Sequence, residues 1–225
     1  MQKGIFITGT GTDIGKTYVS ALLVKYLRGL GVNCGYYKPV LSGALNVDGK
    51  HVPGDVQYVL DTCVICGDPL QFVSYSFVDP VSPHLASKLK GVKIDIAKII
   101  EDYSRISITN DFTVVEGAGG VVCPLDLDKK IFIYDISKLL GLDVLVVADS
   151  ALGTINNTFL TVDFLRKMGI KVKGIILNNF DGSDFLHVDN RKTLEEICEV
   201  KVFSTVAKNG KSIDFEDDFL KVLYE

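Results

Sequence analysis

The sequence predicts an α/β domain with a mostly parallel central sheet and helices on both of its faces. Three observations carry that expectation. Short runs of Val, Ile and Leu recur with little polar interruption, at residues 5–7, 112–115, 144–148 and 172–177. Strands covered on both faces read this way. Between these runs lie stretches whose apolar residues repeat at helical spacing. The chain has 225 residues, 47% hydrophobic and 23% charged, with no internal repeat, low-complexity tract or linker. One domain spanning residues 1–225 is the simplest account of that balance.

The first strand, at residues 5–7, runs into Gly9-Thr10-Gly11-Thr12-Asp13-Ile14-Gly15-Lys16-Thr17. A helix opens there, with Val19, Leu22, Leu23, Tyr26 and Leu27 on its apolar stripe, and ends near Gly29-Leu30-Gly31. Residues 33–39 read as a second strand with Tyr36, Tyr37 and Lys38 at its end. Residues 42–54, rich in Gly, Asn, Asp and Pro, predict a mobile loop. Helical spacing resumes at Asp55 with Val56, Val59 and Leu60. Residues 72–77 are extended, and Ser82-Pro83 reads as a helix entry because proline is tolerated in a first turn. An amphipathic stretch at residues 94–106 precedes the strand at 112–115, which ends in Glu116-Gly117-Ala118-Gly119-Gly120. A short helix at 134–140, a strand at 144–148 and a helix at 153–167 come next. The strand at 172–177 ends at Asn178-Asn179. A helix through 194–197, a short apolar run at 200–203 and a terminal amphipathic segment close the domain.

Charge and cysteine content exclude several classes. The net charge is −4, and no Lys/Arg cluster advertises nucleic acid or an anionic membrane as a partner. No apolar run approaches the ~18–20 residues of a membrane helix. No leader pattern precedes the first strand, so a cytoplasmic location is expected. Five scattered cysteines suit reduced thiols, and the lone Cys63-x-x-Cys66 reads as buried packing residues rather than a metal or redox pair. His51, His84 and His187 form no nucleophile–base constellation.

Chemistry concentrates at the strand ends. A strand, a glycine-rich turn and a helix are the context of a phosphate-binding loop, in which backbone N–H groups and the helix dipole converge on an anion. The fold is therefore expected to be of the P-loop NTPase type. Lys16 would reach the β- and γ-phosphates, and the Thr17 hydroxyl would ligate Mg²⁺. Five residues separate Gly9 from Gly15, where the ordinary pattern has four. In open α/β sheets ligands bind beyond the carboxyl ends of the strands, which should bring the loop together with Lys38, Glu116 and Asn178. Lys38 reads either as a functional cation or as a strand-end lysine reaching solvent. Asp55 reads either as an Mg²⁺ ligand or as a helix N-cap. Glu116 ends a buried strand beside Gly-Ala-Gly-Gly, where packing gives a carboxylate little reason to be.

These motifs converge on a family. Gly9-Thr10-x-Thr12-x-x-Gly15-Lys16-Thr17, Tyr37-Lys38-Pro39-Val40-x-Ser42-Gly43, Ser82-Pro83-His84 and Val115-Glu116-Gly117-Ala118-Gly119-Gly120 with Pro124-Leu125 resemble dethiobiotin synthetase in order and separation. The resemblance implies an ATP-dependent ring closure in biotin biosynthesis, taking 7,8-diaminononanoate, CO₂ and ATP to dethiobiotin, ADP and phosphate. It implies Lys16 and Lys38 as catalytic charge stabilisers and Thr17, Asp55 and Glu116 as the Mg²⁺ set. Asp13, Ile14, Gly15, Lys16, Thr17, Tyr18, Asp55, Glu116, Gly117, Ala118, Gly119 and Asn178 would bind nucleotide, with Asn178 at the purine. Thr12 and Ser42 would contact the diamine substrate. It further implies a homodimer in which Gly153, Thr154 and Asn156 present a helix start to the substrate carboxylate held by the other subunit. The sequence departs from the family at Asp13, often Glu, and at Ser204-Thr205-Val206-Ala207, where Ile-Pro is usual beside the base. Other classes compatible with the loop are a dimeric partitioning-type ATPase switch and a cobyrinate-type amidoligase domain. The switches carry a lysine at the loop start, where this chain has Gly11.

Overall fold

Every long apolar run becomes a strand of one sheet. The computed structural model describes residues 3–215 and 218–224. Its seven-stranded sheet contains β1 (Gly4–Gly9), β2 (Cys34–Ser42), β5 (Val73–Phe77), β6 (Phe112–Glu116), β9 (Val144–Asp149), β10 (Val172–Asn178) and β11 (Val202–Thr205). The spatial order is β11-β10-β9-β1-β6-β2-β5, and every pairing is parallel. The chain moves out from β1 through β2 to the β5 edge and returns as β6. It then crosses β1 to β9 and continues to the opposite edge.

Side-chain alternation divides the core into two layers. Ile5, Ile7, Val114, Leu145, Val147 and Ile176 face one side, packed with α1 (Lys16–Gly29), α2 (Gly54–Cys63) and α8 (Phe219–Tyr224). Phe6, Val115, Val144, Val146, Ala148, Ile175 and Leu177 face the other. There they meet α3 (Pro83–Lys90), α4 (Ile96–Ser107), α5 (Ile133–Leu140), α6 (Thr154–Lys167) and α7 (Phe185–Cys198). The expected sheet with helices on both faces is therefore the observed architecture. Ser82 does precede α3, with Pro83 in the first helical position.

Three details differ from the sequence reading. Residues 42–54 are not an irregular loop: β3 (Leu45–Val47) and β4 (Lys50–Val52) pair antiparallel as a hairpin. Its two-residue turn is Asp48-Gly49, both at positive φ (52° and 77°), the backbone that an Asp-Gly hairpin turn requires. β2 continues past residue 39 to Ser42. Pro39 is accommodated because pairing with β6 extends only to Tyr37, so its missing N–H costs no bond on that side. Cys63 is buried and its thiol donates to the Ala21 carbonyl (3.3 Å), but Cys66 is exposed rather than a packing residue. A second hairpin, β7 (Pro124–Asp126) with β8 (Ile131–Phe132), comes after the glycine-rich turn that ends β6. Among the described residues no helix is long and apolar enough to cross a membrane.

The β10–β11 edge depends on a close approach. A Cβ added at Gly174 would lie 2.3 Å from Phe203 Cδ2 and 3.3 Å from the Lys201 carbonyl oxygen. Gly174→Ala should therefore lower stability by about 1–3 kcal/mol, the usual cost of overpacking, read as an earlier urea unfolding midpoint.

Candidate active site

A cleft of about 950 Å³ lies beyond the carboxyl ends of β1, β2 and β6, lined by the loop after β1 and by residues of β2 and β6. From the phosphate loop come Thr12, Asp13, Gly15, Lys16, Thr17 and Tyr18; from β2, Lys38 and Ser42; from α2, Asp55; from the end of β6, Glu116; and from the turn after it, Ala118 and Gly119. Residues far apart in the sequence are thus neighbours, as the strand-end rule requires.

Loop geometry explains the local sequence. Gly15 is the N-cap of α1 with φ 92°, and Asp13 also has positive φ (59°). A Cβ on Gly15 would sit 2.1 Å from Asn178 Nδ2, so both its conformation and its space call for glycine. The Asn178 side chain lies beneath the loop and donates from Nδ2 to the Ile14 carbonyl (3.0 Å). Its Oδ1 is buried and has no partner among the described residues. Ile14 packs partly buried against the core beneath α1. Lys16 is 7% exposed and donates to the Gly11 carbonyl (2.7 Å), closing the loop on itself. Burial pulls its ammonium down to about pKa 8; Glu116 opposes that shift and Lys38 reinforces it.

Glu116 is the centre of the constellation. Its side chain is 0% exposed. Oε1 accepts from Thr17 Oγ1 (2.7 Å) and from the Lys38 ammonium (2.5 Å), while Oε2 accepts from the Tyr36 hydroxyl (2.8 Å). Lys38 also pairs with Asp55 Oδ2 at 2.7 Å. Burial lowers the Lys38 pKa, but Glu116 and Asp55 together outweigh it and hold the ammonium above the ordinary lysine value. Lys38 is therefore a buried, paired cation rather than a lysine reaching solvent. Asp55 is not a helix cap either: Pro53 occupies that position, and Asp55 lies in the first turn of α2 with its side chain 47% exposed.

Other expected residues lie away from the cleft wall. Gly117 is beneath it, its N–H bound to the Ile7 carbonyl (2.9 Å). Ile14 and Asn178 support the loop from behind. Gly153, Thr154 and Asn156 stand at the start of α6 and do not line this cleft within one chain. The Thr154 hydroxyl donates to the Asp149 carbonyl and its N–H to the Ala151 carbonyl (3.1 Å), so both shape the turn. Ser204 and Val206 are buried: the Ser204 hydroxyl donates to the Asp214 carbonyl (2.7 Å), and the Val206 N–H to the Leu177 carbonyl (2.7 Å).

Sequence reasoning missed Tyr36, which supports Glu116 from within the core, and Tyr58, Val122 and Cys123 on the cleft wall. Only the register Tyr36↔Val114, Tyr37↔Val115 places Tyr36 beside the end of β6, and no local pattern encodes that register. The Tyr18 hydroxyl bonds the Gly210 carbonyl, and its ring stacks with Tyr58 (centroids 6.4 Å apart). That contact ties α1 to both α2 and the segment after β11.

Comparison with known proteins agrees with this geometry. A family model described as an AAA domain matches residues 3–214. The ATP-dependent dethiobiotin synthetase BioD of Clostridium botulinum (strain 657 / Type Ba4) is 47% identical over 226 residues, covering 100% of this chain and 99% of the relative. The chain belongs to the dethiobiotin synthetase family. The relative of the same name from the Loch Maree / Type A3 strain is 45% identical over the same coverage. Among solved structures, the signal recognition particle receptor FtsY from Elizabethkingia anophelis in complex with GDP superposes with a TM-score of 0.56 at 13% identity. It covers 100% of this chain, which in turn spans 64% of that receptor. The MinC:MinD cell division protein complex of Aquifex aeolicus gives a TM-score of 0.53 at 15% identity, covering 99% of this chain and 85% of that one. Those two likenesses establish the shared fold alone.

Tyr36→Phe would leave a buried Glu116 oxygen without its donor, and unfolding free energy should fall by about 1–3 kcal/mol in a denaturant titration. Lys16 is a cation, the form suited to opposing phosphate charge, below its pKa of about 8. Nucleotide kcat/KM should accordingly fall as pH rises through about 8, and Lys16→Gln should remove that basic limb.

Proposed function

We propose that the protein is an ATP-dependent dethiobiotin synthetase, joining 7,8-diaminononanoate and CO₂ at the expense of ATP. The observation that carries this reading is the convergence of Lys16, Thr17, Lys38, Asp55 and Glu116 in one cleft, in a chain that matches dethiobiotin synthetases along its whole length.

The arrangement suits phosphoryl transfer, which needs positioning and charge stabilisation more than covalent help. An amine of the diamine captures CO₂ as a carbamate. A carbamate oxygen attacks the γ-phosphorus, the bond to ADP breaks, and a carbamic-phosphoric anhydride forms. The neighbouring amine then attacks the carbamate carbon, closes the cyclic urea and expels phosphate. Both amines belong to one held molecule, so closure gains effective molarity. Lys16 and the loop N–H groups oppose the charge on the phosphate oxygens, and Lys38 opposes it on the carbamate side. Thr12 and Ser42 on the cleft wall orient the diamine. Asp13, Gly15 and Tyr18 flank the phosphate path, with Ala118 and Gly119 opposite. Asn178 Oδ1, a buried acceptor lacking a donor among the described residues, is suited to the amine of the purine.

Mg²⁺ fits the donor set, because the Thr17 hydroxyl and the Asp55 and Glu116 carboxylates are hard oxygens clustered at the end of the phosphate loop. Among the described residues no group of three His, Cys, Asp or Glu forms a complete cage, which suits an ion held by few protein groups together with phosphates. When bound there, Mg²⁺ would neutralise β- and γ-phosphate charge.

A homodimer completes the site. Leu152 is 87% exposed at the start of α6, with Phe159 and Leu160 also exposed along it. Covering this face with a second copy would bring Gly153, Thr154 and Asn156 toward the partner's substrate carboxylate, at a helix end where anions are stabilised. The enzyme would work in the cytoplasm.

Purified protein should release ADP only when diaminononanoate and bicarbonate are both supplied. Brisk hydrolysis of ATP that ignores the diamine would contradict the synthetase reading and favour an ATPase switch. Lys16→Gln should lower turnover by on the order of 10² or more in the same assay.

A further inference from the structure

Asp55 Oδ2 and Glu116 Oε1 are joined through a single nitrogen, the Lys38 ammonium, 2.7 Å from one and 2.5 Å from the other. We infer that Lys38 is the resident cation of the Asp55–Glu116 pair, exchanged for the incoming divalent ion and thereby delivered into the cleft. The exchange rests on the proposed role of these two carboxylates as ligands of that ion.

The donors around Glu116 support the exchange. Tyr36 and Thr17 approach it as neutral hydroxyls. A hydroxyl can go on donating its proton to a carboxylate while its oxygen offers a lone pair to a metal. An ammonium has three donors and no lone pair, so it cannot become a ligand, and it repels any cation placed between the same oxygens. Thr17 and Tyr36 can therefore stay when the ion arrives, whereas Lys38 must leave. Tyr36 anchors Oε2 from the core, so Glu116 keeps its place while its partner changes.

The surroundings give the lysine somewhere to go. Its four-carbon stem starts on β2, four residues before Ser42, and Lys38, Thr12, Ser42 and Gly119 line the same cleft. Asp55, half exposed at the start of α2, leaves one side of the pair open to solvent for ion entry. The phosphate charge arriving with the nucleotide supplies the anion that Lys38 loses. Ion entry and lysine release would then be one event, and Lys38 would reach the reacting oxygens only once metal and nucleotide are both in place.

Mn²⁺ alone is the probe, titrated by electron paramagnetic resonance without nucleotide. Lys38→Met removes the competing charge while keeping an unbranched side chain. It should bind Mn²⁺ at least about tenfold more tightly than the unmodified protein. Unchanged or weaker binding in a variant that melts cooperatively would overturn the exchange. Because Lys38→Met leaves Glu116 without its counter-charge and could fail to fold, a second measurement uses the unmodified protein. With ¹³Cε-lysine labelling, the Lys38 signal, assigned through Lys38→Arg, should shift when Mg²⁺ and a non-hydrolysable ATP analogue are present together. It should stay in place with the analogue alone. A signal indifferent to Mg²⁺ would overturn the inference. Neither readout uses diamine or turnover. A protein that exchanged Lys38 for metal but formed no dethiobiotin would defeat only the synthetase reading, and one that formed dethiobiotin with Lys38 unmoved would defeat only the exchange.

Discussion

A carboxylate with no water around it must be satisfied by the protein, and the Glu116 side chain, 0% exposed, makes that demand at the mouth of the sheet. Two elements answer it: α1 through Thr17, and β2 through both Tyr36 and Lys38. The phosphate loop, the second strand and the turn after the sixth strand are thereby fixed relative to one another by a single side chain. Removing one partner of a buried pair of this kind typically costs about 3–5 kcal/mol, because the other charge stays buried and unpaired. Replacing the whole group by apolar residues often costs nothing. Stability alone therefore gives no reason for a carboxylate here, whereas the proposed chemistry on phosphates does.

The parallel sheet supplies the setting. With helices on both faces, ligands are expected at the edge where the strands end, and β1, β6 and β2 lie side by side at its middle. Lys16 and Lys38 both feel the charge of Glu116, one bonded to the loop and the other to the carboxylates. They differ in kind: burial pulls Lys16 down, while the carboxylates hold Lys38 up. Tyr18, reaching Gly210 from the first turn of α1, extends this organisation to the segment beyond β11.

Much of this was legible in the amino-acid order, for identifiable reasons. Strands buried on both faces must be continuously apolar, so β6, β9 and β10 announced themselves. A turn that must wrap an anion needs glycine, so the loop did too. Glu116 stood out because nothing local justified it. What stayed hidden depends on register and on contacts far apart in sequence. Tyr36 looked like one more strand residue, and only its alignment beside Val114 places its hydroxyl on Glu116. Lys38 and Asp55 each had an ordinary local explanation, removed for Lys38 by its pairing with Asp55 and Glu116 and for Asp55 by Pro53 taking the helix N-cap. The hairpin at residues 45–52 was missed for a different reason: its Asp48-Gly49 signal was present but was read as generic loop composition.

The proposed chemistry depends on Glu116 serving as the metal-side anchor of the nucleotide, not merely as a buried counter-ion for Lys38. Calorimetric titration of a non-hydrolysable ATP analogue, with and without Mg²⁺, into the unmodified protein and into Glu116→Gln tests this most directly. Gln keeps the shape and the acceptor oxygen but removes the charge. Mg²⁺ should strengthen binding of the analogue to the unmodified protein and leave it almost unchanged in a folded Glu116→Gln. An undiminished Mg²⁺ effect in that variant would contradict the anchoring role.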